Sequence, residues 1–432
     1  MTKRLLHYLL ALCCLCCLTG QVYGQTRITV LSDIHVMASE LVEQDGVAWQ
    51  AVLRSDRKLL DYSQAAFDLL IARTLDEHPD MVLITGDLTK DGELLSHQHV
   101  VSQLDRLRDA GIKCFVIPGN HDLGTVNAQV FQGDQTAPAV TADSAQFAAL
   151  YRNYGYGAGS RRCGNTLTYS CEPADGLTLI GIDSGPDGLL AAATFDWVCR
   201  QAEQARTDGR RVLVMMHHAL MPHFAGEDRL VPGSVVQHCE TVRNRLADAG
   251  VQVVLTGHIH ISDIAKDFSA DLSRPIYDVS TGSPISYPCD YRRLTLSADR
   301  TLLTITTGRI TSLPRVGNYG GVAKQRLRRF LSAYAQRQLK SRPLATAATS
   351  VFLAHAEGNE NKSEEAQGLL GTFNLGKFFL GSTLKSKLAA RGVTWSELAA
   401  AVKSMLTDTT SPGIDGRENR TDDLKLTITL TD

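Results

Sequence analysis

What this 432-residue sequence lacks narrows it first. It has no excess of either charge: 44 Lys and Arg against 46 Asp and Glu leave a formal net charge of −2. That removes the electrostatic reason to expect a nucleic-acid or anionic-membrane partner. The local basic cluster Arg326, Arg328 and Arg329 reads as a solvated helix face. No internal repeat or low-complexity tract is present, which excludes a repeat array. The apolar run Leu5–Leu18 falls short of the roughly 20 residues that a membrane-spanning helix needs, so no stable span is expected in the mature chain. Aromatic content is only 6%, but 44% hydrophobic and 21% charged residues are ordinary for a globular protein. At this length the chain can bury a sizeable core and hold more than one domain.

What is present begins with an address. Lys3 and Arg4 precede the Leu5–Leu18 run, and Val22-Tyr23-Gly24 follows it. A charged segment, an apolar segment and a small-residue cleavage site read as an export signal over residues 1–24. The mature protein is then periplasmic or secreted. A lipid anchor on Cys13 is disfavoured, because the bulky Leu12 stands before it. Four of the ten cysteines, Cys13, Cys14, Cys16 and Cys17, leave with the signal, and six remain. An even number in an exported chain permits disulfides. Cys163 and Cys171 flank a candidate hairpin, Thr166–Ser170, and form the favoured pair; Cys114 reads as a small buried hydrophobe. The pairing of Cys199, Cys239 and Cys289 stays open.

Apolar runs alternate with amphipathic ones. Candidate strands at Ile28–Leu31, Met81–Thr85, Cys114–Ile117, Leu177–Ile182, Arg211–Met215 and Val251–Leu255 are separated by candidate helices at Tyr62–Glu77, Glu93–Ala110, Ser144–Asn153, Phe195–Arg206 and Ser234–Ala249. This alternation predicts βαβ units and a parallel sheet. Residues 119–142 read as a long loop. Period-2 runs at Ile276–Ser280, Tyr291–Leu296 and Leu302–Thr307 suggest antiparallel strands on a second sheet. Beyond Ser312 the character changes to helices at Val322–Leu339, Leu344–His355 and Thr394–Leu406, with a shorter one at Ser363–Gln367 and a final strand-like run, Leu424–Leu430. The expected layout is an α/β domain over residues 25–312 and a smaller, mainly helical domain over residues 313–432.

The chemistry sits at the strand ends. Five apolar runs are followed at once by metal-ligand types: Asp33 and His35; Asp87; Asn120 and His121; His217; His258 and His260. In Asp-x-His and His-x-His, residues two apart lie on one side of a locally extended chain and can reach one ion. Carboxylate and imidazole together suit Zn, Mn or Fe better than Ca or Mg. Each piece alone is an ordinary loop feature; five in the same position argue for one site. Other histidines carry less. His97 and His99 fall on a helix and read as surface residues. His223, beside Phe224, reads as a plain loop histidine, and His355 and Glu357 read as structural groups at a helix end.

The set Asp33-x-His35, Gly86-Asp87, Gly119-Asn120-His121-Asp122, His217 and Gly257-His258-x-His260 resembles the calcineurin-like metallophosphoesterase superfamily, in the order of its motifs, across roughly residues 27–310. The resemblance implies a four-layered αββα sandwich of two mixed sheets flanked by helices, and a hydrolase of phosphoesters with two divalent or trivalent transition-metal ions. Carried onto this chain, Asp33, His35 and His260 hold one metal; Asn120, His217 and His258 hold the other; Asp87 bridges them. His121 contacts the phosphate and assists the leaving group, with Asp122 as its orienting carboxylate. His217 is preferred over His218, although Ala219 replaces the proline that usually stands two residues after the ligand.

Two ions about 3.5–4 Å apart clamp a phosphate and bring a bridging water near neutrality, so that hydroxide attacks phosphorus in line. Purple acid phosphatases carry a ligating tyrosine where this chain has Lys90, and serine/threonine protein phosphatases carry Arg and Glu where it has Pro118 and Asp122. Thr85–Thr89 with Pro118–Asp122 look most like the branch related to class III cyclic-nucleotide phosphodiesterases, some members of which carry an added C-terminal helical domain. The expected substrate is a small organic phosphoester, diesters slightly favoured over monoesters. The contrasting expectation is a non-catalytic exported binding protein with a vestigial metal site.

Overall fold

The computed structural model describes residues 24–339, 342–358, 386, 389–390, 392–407 and 422–431. The expected export signal, apart from Gly24, and the expected helix Ser363–Gln367 lie outside the described residues.

In chain order the elements are β1 (Thr26–Leu31), α1 (Val47–Ser55), α2 (Ser63–Glu77), β2 (Met81–Ile84), α3 (Leu94–Asp109), β3 (Lys113–Val116), the hairpin β4 (Gln129–Gln132) and β5 (Gln135–Pro138), and α4 (Ser144–Leu150). Next come β6 (Ser160–Arg162), β7 (Tyr169–Ala174), β8 (Leu177–Ile182), α5 (Ala192–Thr207), β9 (Arg211–Met216), the single turn α6 (Glu227–Leu230), α7 (Cys239–Asp248) and β10 (Val253–Thr256). The chain continues through β11 (Ile264–Phe268), β12 (Pro275–Ser280), β13 (Asp290–Leu296), β14 (Leu302–Arg309) and a short ribbon of β15 (Ser312–Leu313) and β16 (Gly317–Asn318). The last elements are α8 (Tyr319–Leu339), α9 (Arg342–Glu357), α10 (Trp395–Thr407) and β17 (Lys425–Thr429).

Two mixed sheets carry the core. One runs β17-β14-β13-β1-β2-β3, with β1, β2 and β3 parallel; the other runs β11-β12-β10-β9-β8-β7-β6, with β8, β9, β10 and β12 parallel. Successive side chains of a strand point to opposite faces, and here that alternation builds the layers. Leu213 and Met215 of β9 join the core that includes Ile28, Val30, Met81 and Leu83 of the first sheet. Val212, Val214 and Met216 pack instead with Phe195, Val198 and Ala202 of α5 and Leu246 of α7. The first sheet is covered by Phe67, Leu70 and Ile71 of α2 and Leu104 and Leu107 of α3. Strands buried on both faces read as continuous apolar runs, which is why these were the clearest segments in the sequence. The C-terminal strand β17 pairs antiparallel with β14, so the chain returns to the first sheet after its helices.

Several expectations change. The stretch 119–142 holds the β4–β5 hairpin, turned by Gly133-Asp134 with Gly133 at φ +56°. The helix expected from Ser234 starts at Cys239, because Val235 and Val236 lie extended beside Ala219. Cys163 and Cys171 are free. Ser160 is the cross-strand partner of Cys171, whereas Cys163 bonds to Thr168. Three residues along a strand span about 10 Å, beyond the roughly 7 Å over which a disulfide closes. Cys114 is buried, and burial raises its thiol pKa. Arg326 does not lie on a solvated face: it bonds Leu53 O, Lys58 O and Asp61. Among the described residues, no helix is long and apolar enough to cross a membrane.

Candidate metal centre

Asp33 and His35 follow β1, Asp87 follows β2, Asn120 and His121 follow β3, His217 follows β9, and His258 and His260 follow β10. All are C-terminal ends of parallel strands, where ligands gather in open α/β sheets. The strand-end loops are tied together: Asp33 N–H donates to Gly86 O at 3.1 Å, His35 N–H to Asp87 O at 2.9 Å, and Gly257 N–H to His217 O at 3.0 Å.

The local backbone is not extended, contrary to the expectation from Asp-x-His and His-x-His. Asp33, His35, Asp87, His258 and His260 have φ of 52°, 41°, 50°, 68° and 63°. Left-handed residues cost on the order of 1–3 kcal/mol each and persist where the surroundings over-determine them. Here left-handed turns, rather than strand alternation, aim Asp33 and His35 at one point and send His258 and His260 to two neighbouring ones. Gly119 is required for the same approach, since a Cβ there would run into the Asp87 carboxylate and the His217 ring.

Two donor sets result, sharing Asp87. Asp33, His35, Asp87 and His260 form one; Asp87, His217 and His258 form the other; within each, the ligand atoms lie within 4.8 Å of one another. Asp87 Oδ2 faces His35 Nε2 at 3.4 Å, and Asp87 Oδ1 faces His217 Nε2 at 3.4 Å. Asn120 Oδ1 completes the second set, 2.9 Å from both His217 Nε2 and His258 Nδ1. In the first, His260 Nε2 lies 3.3 Å from Asp33 Oδ1 and 3.2 Å from His35 Nε2.

These residues fit a pair of cations. His217 Nδ1–H donates to Thr85 O at 2.9 Å, and His258 Nε2–H donates to Gly233 O at 3.0 Å. Backbone acceptors on the outer nitrogens leave the inner ones as lone pairs, the arrangement by which metal-ligating histidines are oriented. His217 Nε2, His258 Nδ1 and the Asn120 oxygen converge, and positive charge among them, a metal cation or a proton on His217 Nε2, is what relieves the crowding of acceptors. Asp33 Oδ2 accepts from Ser32 Oγ and His258 N–H, while the buried Asp33 Oδ1 has no hydrogen-bond partner.

Charge states agree. Burial alone would raise Asp33 and Asp87, but the neighbouring histidines hold both below the ordinary carboxylate value. Burial pushes His35 well down, His258 down to about 4 and His260 down, which keeps them neutral donors. His217 is the exception: burial lowers it, yet Asp87, Asp33 and the Thr85 carbonyl together outweigh burial and lift it to about 9. That imidazolium supplies the compensating charge that a cation would supply.

His121 lies at the edge of the cluster, with its side chain 30% exposed. Its backbone N–H donates to Asp87 Oδ1 at 2.9 Å, and its Nδ1–H donates to Asp91 Oδ1 at 2.8 Å. Burial would lower the ring's pKa, but Asp91 and Asp87 raise it above the ordinary value. Asp91, which also pairs with Lys90, is thus the carboxylate that orients His121. The sequence reading gave that role to Asp122, and the structure corrects it. Asp122 is fully buried and accepts the N–H groups of Leu88, Thr89 and Gly119 and the Thr89 hydroxyl, bracing one strand-end loop against another.

Of the adjacent histidines, His217 faces the cluster, while His218 Nδ1 contacts Ser184 Oγ at 2.8 Å and burial takes its pKa down to about 2. His97, expected at the surface, is buried between Tyr151 Oη and Asp122 O, each 2.9 Å from a ring nitrogen. His223 is buried between Asp263 at 2.9 Å and Asp278 at 3.2 Å. Its neighbour Phe224 packs with Val351 of α9 and Val402 and Met405 of α10. The loop bearing Gly233, the acceptor for His258, therefore rests on the C-terminal helices. His355 lies 3.8 Å from Asp263, and Glu357 bonds Tyr287 and Lys324.

The sequence profile described as calcineurin-like phosphoesterase matches residues 26–262. The chain is 23% identical over 236 residues to a 3',5'-cyclic-nucleotide phosphodiesterase from Nostoc sp., covering 54% of this chain and 71% of that protein. It is 27% identical over 139 residues to the uncharacterized metallophosphoesterase YkuE of Bacillus subtilis, covering 31% of this chain and 46% of that protein. A dimetal phosphatase from Danio rerio aligns with a TM-score of 0.46 at 14% identity, over 66% of this chain and 96% of that one. With residues 26–262 of its 432 matched, the chain belongs to the calcineurin-like phosphoesterase family.

Proposed function

We propose that this protein hydrolyses phosphoester bonds at a dinuclear metal centre, with phosphodiesters slightly favoured over phosphomonoesters. The observation that carries this reading is the split of Asp87, whose two carboxylate oxygens face two separate donor sets. Asp33, His35 and His260 would hold one ion; Asn120, His217 and His258 the other; Asp87 would bridge them. When bound, two Mn, Fe or Zn ions supply Lewis acidity toward phosphoryl oxygens and acidify water. The protein's own contribution is to fix the donor lone pairs by outer hydrogen bonds and to place His121 at the exposed edge. With Nδ1–H bound to Asp91, His121 presents Nε2 outward, and the proton held there passes to the departing alkoxide.

The preference for diesters draws on the name of the Nostoc relative. Export to the periplasm or medium is part of the same proposal and draws on the Lys3–Gly24 pattern. The test is purified protein loaded in turn with Mn, Fe and Zn, its metal content measured, and assayed on bis-p-nitrophenyl and p-nitrophenyl phosphate. Turnover of the diester above the monoester is expected. No turnover of either with any metal would return the protein to a binding role with a vestigial site.

A further inference from the structure

Between α1 and α2 the chain passes the centre on Asp56-Arg57-Lys58-Leu59. Leu59 is fully buried, and its N–H donates to Ile285 O at 2.7 Å. The turn around Ile285 also serves the centre: Ser286 Oγ lies 2.9 Å from His260 Nδ1, and Ser283 Oγ donates to Asp33 O at 2.7 Å. On the other side, Arg326 of α8 donates to Leu53 O and Lys58 O, both at 3.3 Å. Asp56 Oδ1 accepts the Lys58 N–H at 2.8 Å. The backbone of this segment is thus pinned on one side to the turn that holds Asp33 and His260, and on the other to α8.

The two cationic side chains are not pinned. Both are half-buried, yet neither the Arg57 guanidinium nor the Lys58 ammonium makes a hydrogen bond or ion pair with a described residue. Charged groups removed from water normally pair. The tethers set the segment on the Asp33–His260 side of the centre, where Ser283 and Ser286 hold those residues. After burial, Lys58 is the next influence depressing His35; it also acts on His121 and His260, and Arg57 acts on His260 and is itself drawn by Asp33. The charges that dominate Asp87, His217 and His258 come from other residues.

We propose that Arg57 and Lys58 form an anion subsite beside the Asp33–His35–His260 half of the centre, which takes a second phosphate or carboxylate carried by the same substrate as the scissile phosphoester. This rests on the phosphoesterase reading and names its substrate class: a phosphoester with a further anionic group. The segment that carries the cations is tethered to the turn holding Asp33 and His260, to one side of the Asp87 carboxylate that the two donor sets share, where the scissile phosphoryl belongs. A simple diester brings a single negative charge and leaves both cations uncompensated. A guanidinium fork beside an ammonium suits either anion, bidentate from Arg57 and as a point charge from Lys58.

The test uses metal-loaded full-length protein and R57Q, K58Q and the double variant, with calorimetric binding of three non-hydrolysable probes. Methylphosphonate carries one anionic group, phosphonoacetate adds a carboxylate, and methylenebisphosphonate adds a second phosphonate. Metal content is measured after each titration, and thermal melts check folding. Wild type is expected to bind one or both bifunctional probes about tenfold or more tighter than methylphosphonate. The double variant is expected to lose that advantage and keep the methylphosphonate affinity. The stronger of the two probes identifies the anion. Equal wild-type affinity for all three overturns the subsite, and so does equal loss for all three in the variants. If the metal-loaded protein turns over no phosphoester, the phosphoesterase reading fails separately, since these titrations need no turnover.

Discussion

His121 Nδ1 lies 2.8 Å from Asp91 Oδ1, across 30 residues of sequence, while the neighbouring Asp122 is turned into the backbone amides of Leu88, Thr89 and Gly119. The two carboxylates therefore separate a chemical role from a structural one. Asp91→Asn is expected to slow hydrolysis of an alkyl phosphodiester about 10–100-fold, and His121→Ala about 10²–10⁴-fold. Both effects should shrink on p-nitrophenyl esters, whose leaving group needs little proton assistance, and both variants should keep their metal. Asp122→Ala is expected mainly to lower stability, by about 3 kcal/mol, because buried amides lose a charged acceptor. Leaving-group dependence and denaturant melts on the three variants check this. Equal slowing on both ester types in Asp91→Asn would remove the proton-donor assignment.

Gly119→Ala tests whether the bridge depends on close packing. The added Cβ has no room beside Asp87 and His217, so the carboxylate must move off the line between the two donor sets. Displacement on the order of 1 Å at a reacting centre costs about 100-fold in rate. The variant is expected to retain fewer metal ions per chain than wild type, measured by elemental analysis, with turnover reduced by at least that factor. Full metal occupancy with wild-type turnover would show that Asp87 is not held by this contact.

How much of this was legible in the sequence depended on how local the cause was. Strands such as Met81–Ile84 and Val253–Thr256 are buried on both faces, so their apolar runs stood out, and the polar residues behind them marked the strand ends. His97 carries a signal in the sequence: it lies on the buried stripe of α3 with Val100, Leu104 and Leu107, at helical spacing. The β4–β5 hairpin likewise carried its Gly133-Asp134 turn in plain view. Asp91 was not legible. Its partner is distant in sequence, and only the folded Gly86–Gly92 loop brings it to His121. The left-handed backbone at Asp33, His35, His258 and His260 was equally hidden, because a two-residue spacing reads as extended chain until the neighbouring loops impose the turn.

The loop from Phe224 to Gly233 links the C-terminal helices to the centre. Phe224 is buried against α9 and α10, Ala225 N–H donates to Ser404 Oγ at 3.1 Å, and Gly233 O orients His258. Phe224→Ala is expected to lower stability by about 3–5 kcal/mol. It should also weaken metal binding about 10–100-fold, the range seen when an outer partner of a ligating histidine is lost. Metal titration against a competing chelator, below the melting temperature of the variant, reads the second effect separately. Unchanged metal affinity would uncouple the helices from His258.

The buried pair of carboxylates around His223 sets an alkaline limit to stability. Burial depresses this imidazole, but Asp278 and Asp263 outweigh it and hold the pKa well above the ordinary value of 6.5. Because the folded value is raised, the contribution is complete below about pH 6.5, where the unfolded chain is also protonated. Above that pH the folded protein binds the extra proton, so stability falls with rising pH until the folded pKa is passed. His223→Gln removes the shared proton, leaving Asp263 with His355 at 3.8 Å and Asp278 with the N–H groups of Leu220 and Met221 and the Thr256 hydroxyl, at an expected cost of about 3 kcal/mol. Thermal melts from pH 6 to 9, on protein saturated with metal so that the ligand histidines do not titrate, should show a declining wild-type curve and a flatter curve for the variant. Parallel curves would place the alkaline loss elsewhere and leave His223 a neutral packing residue.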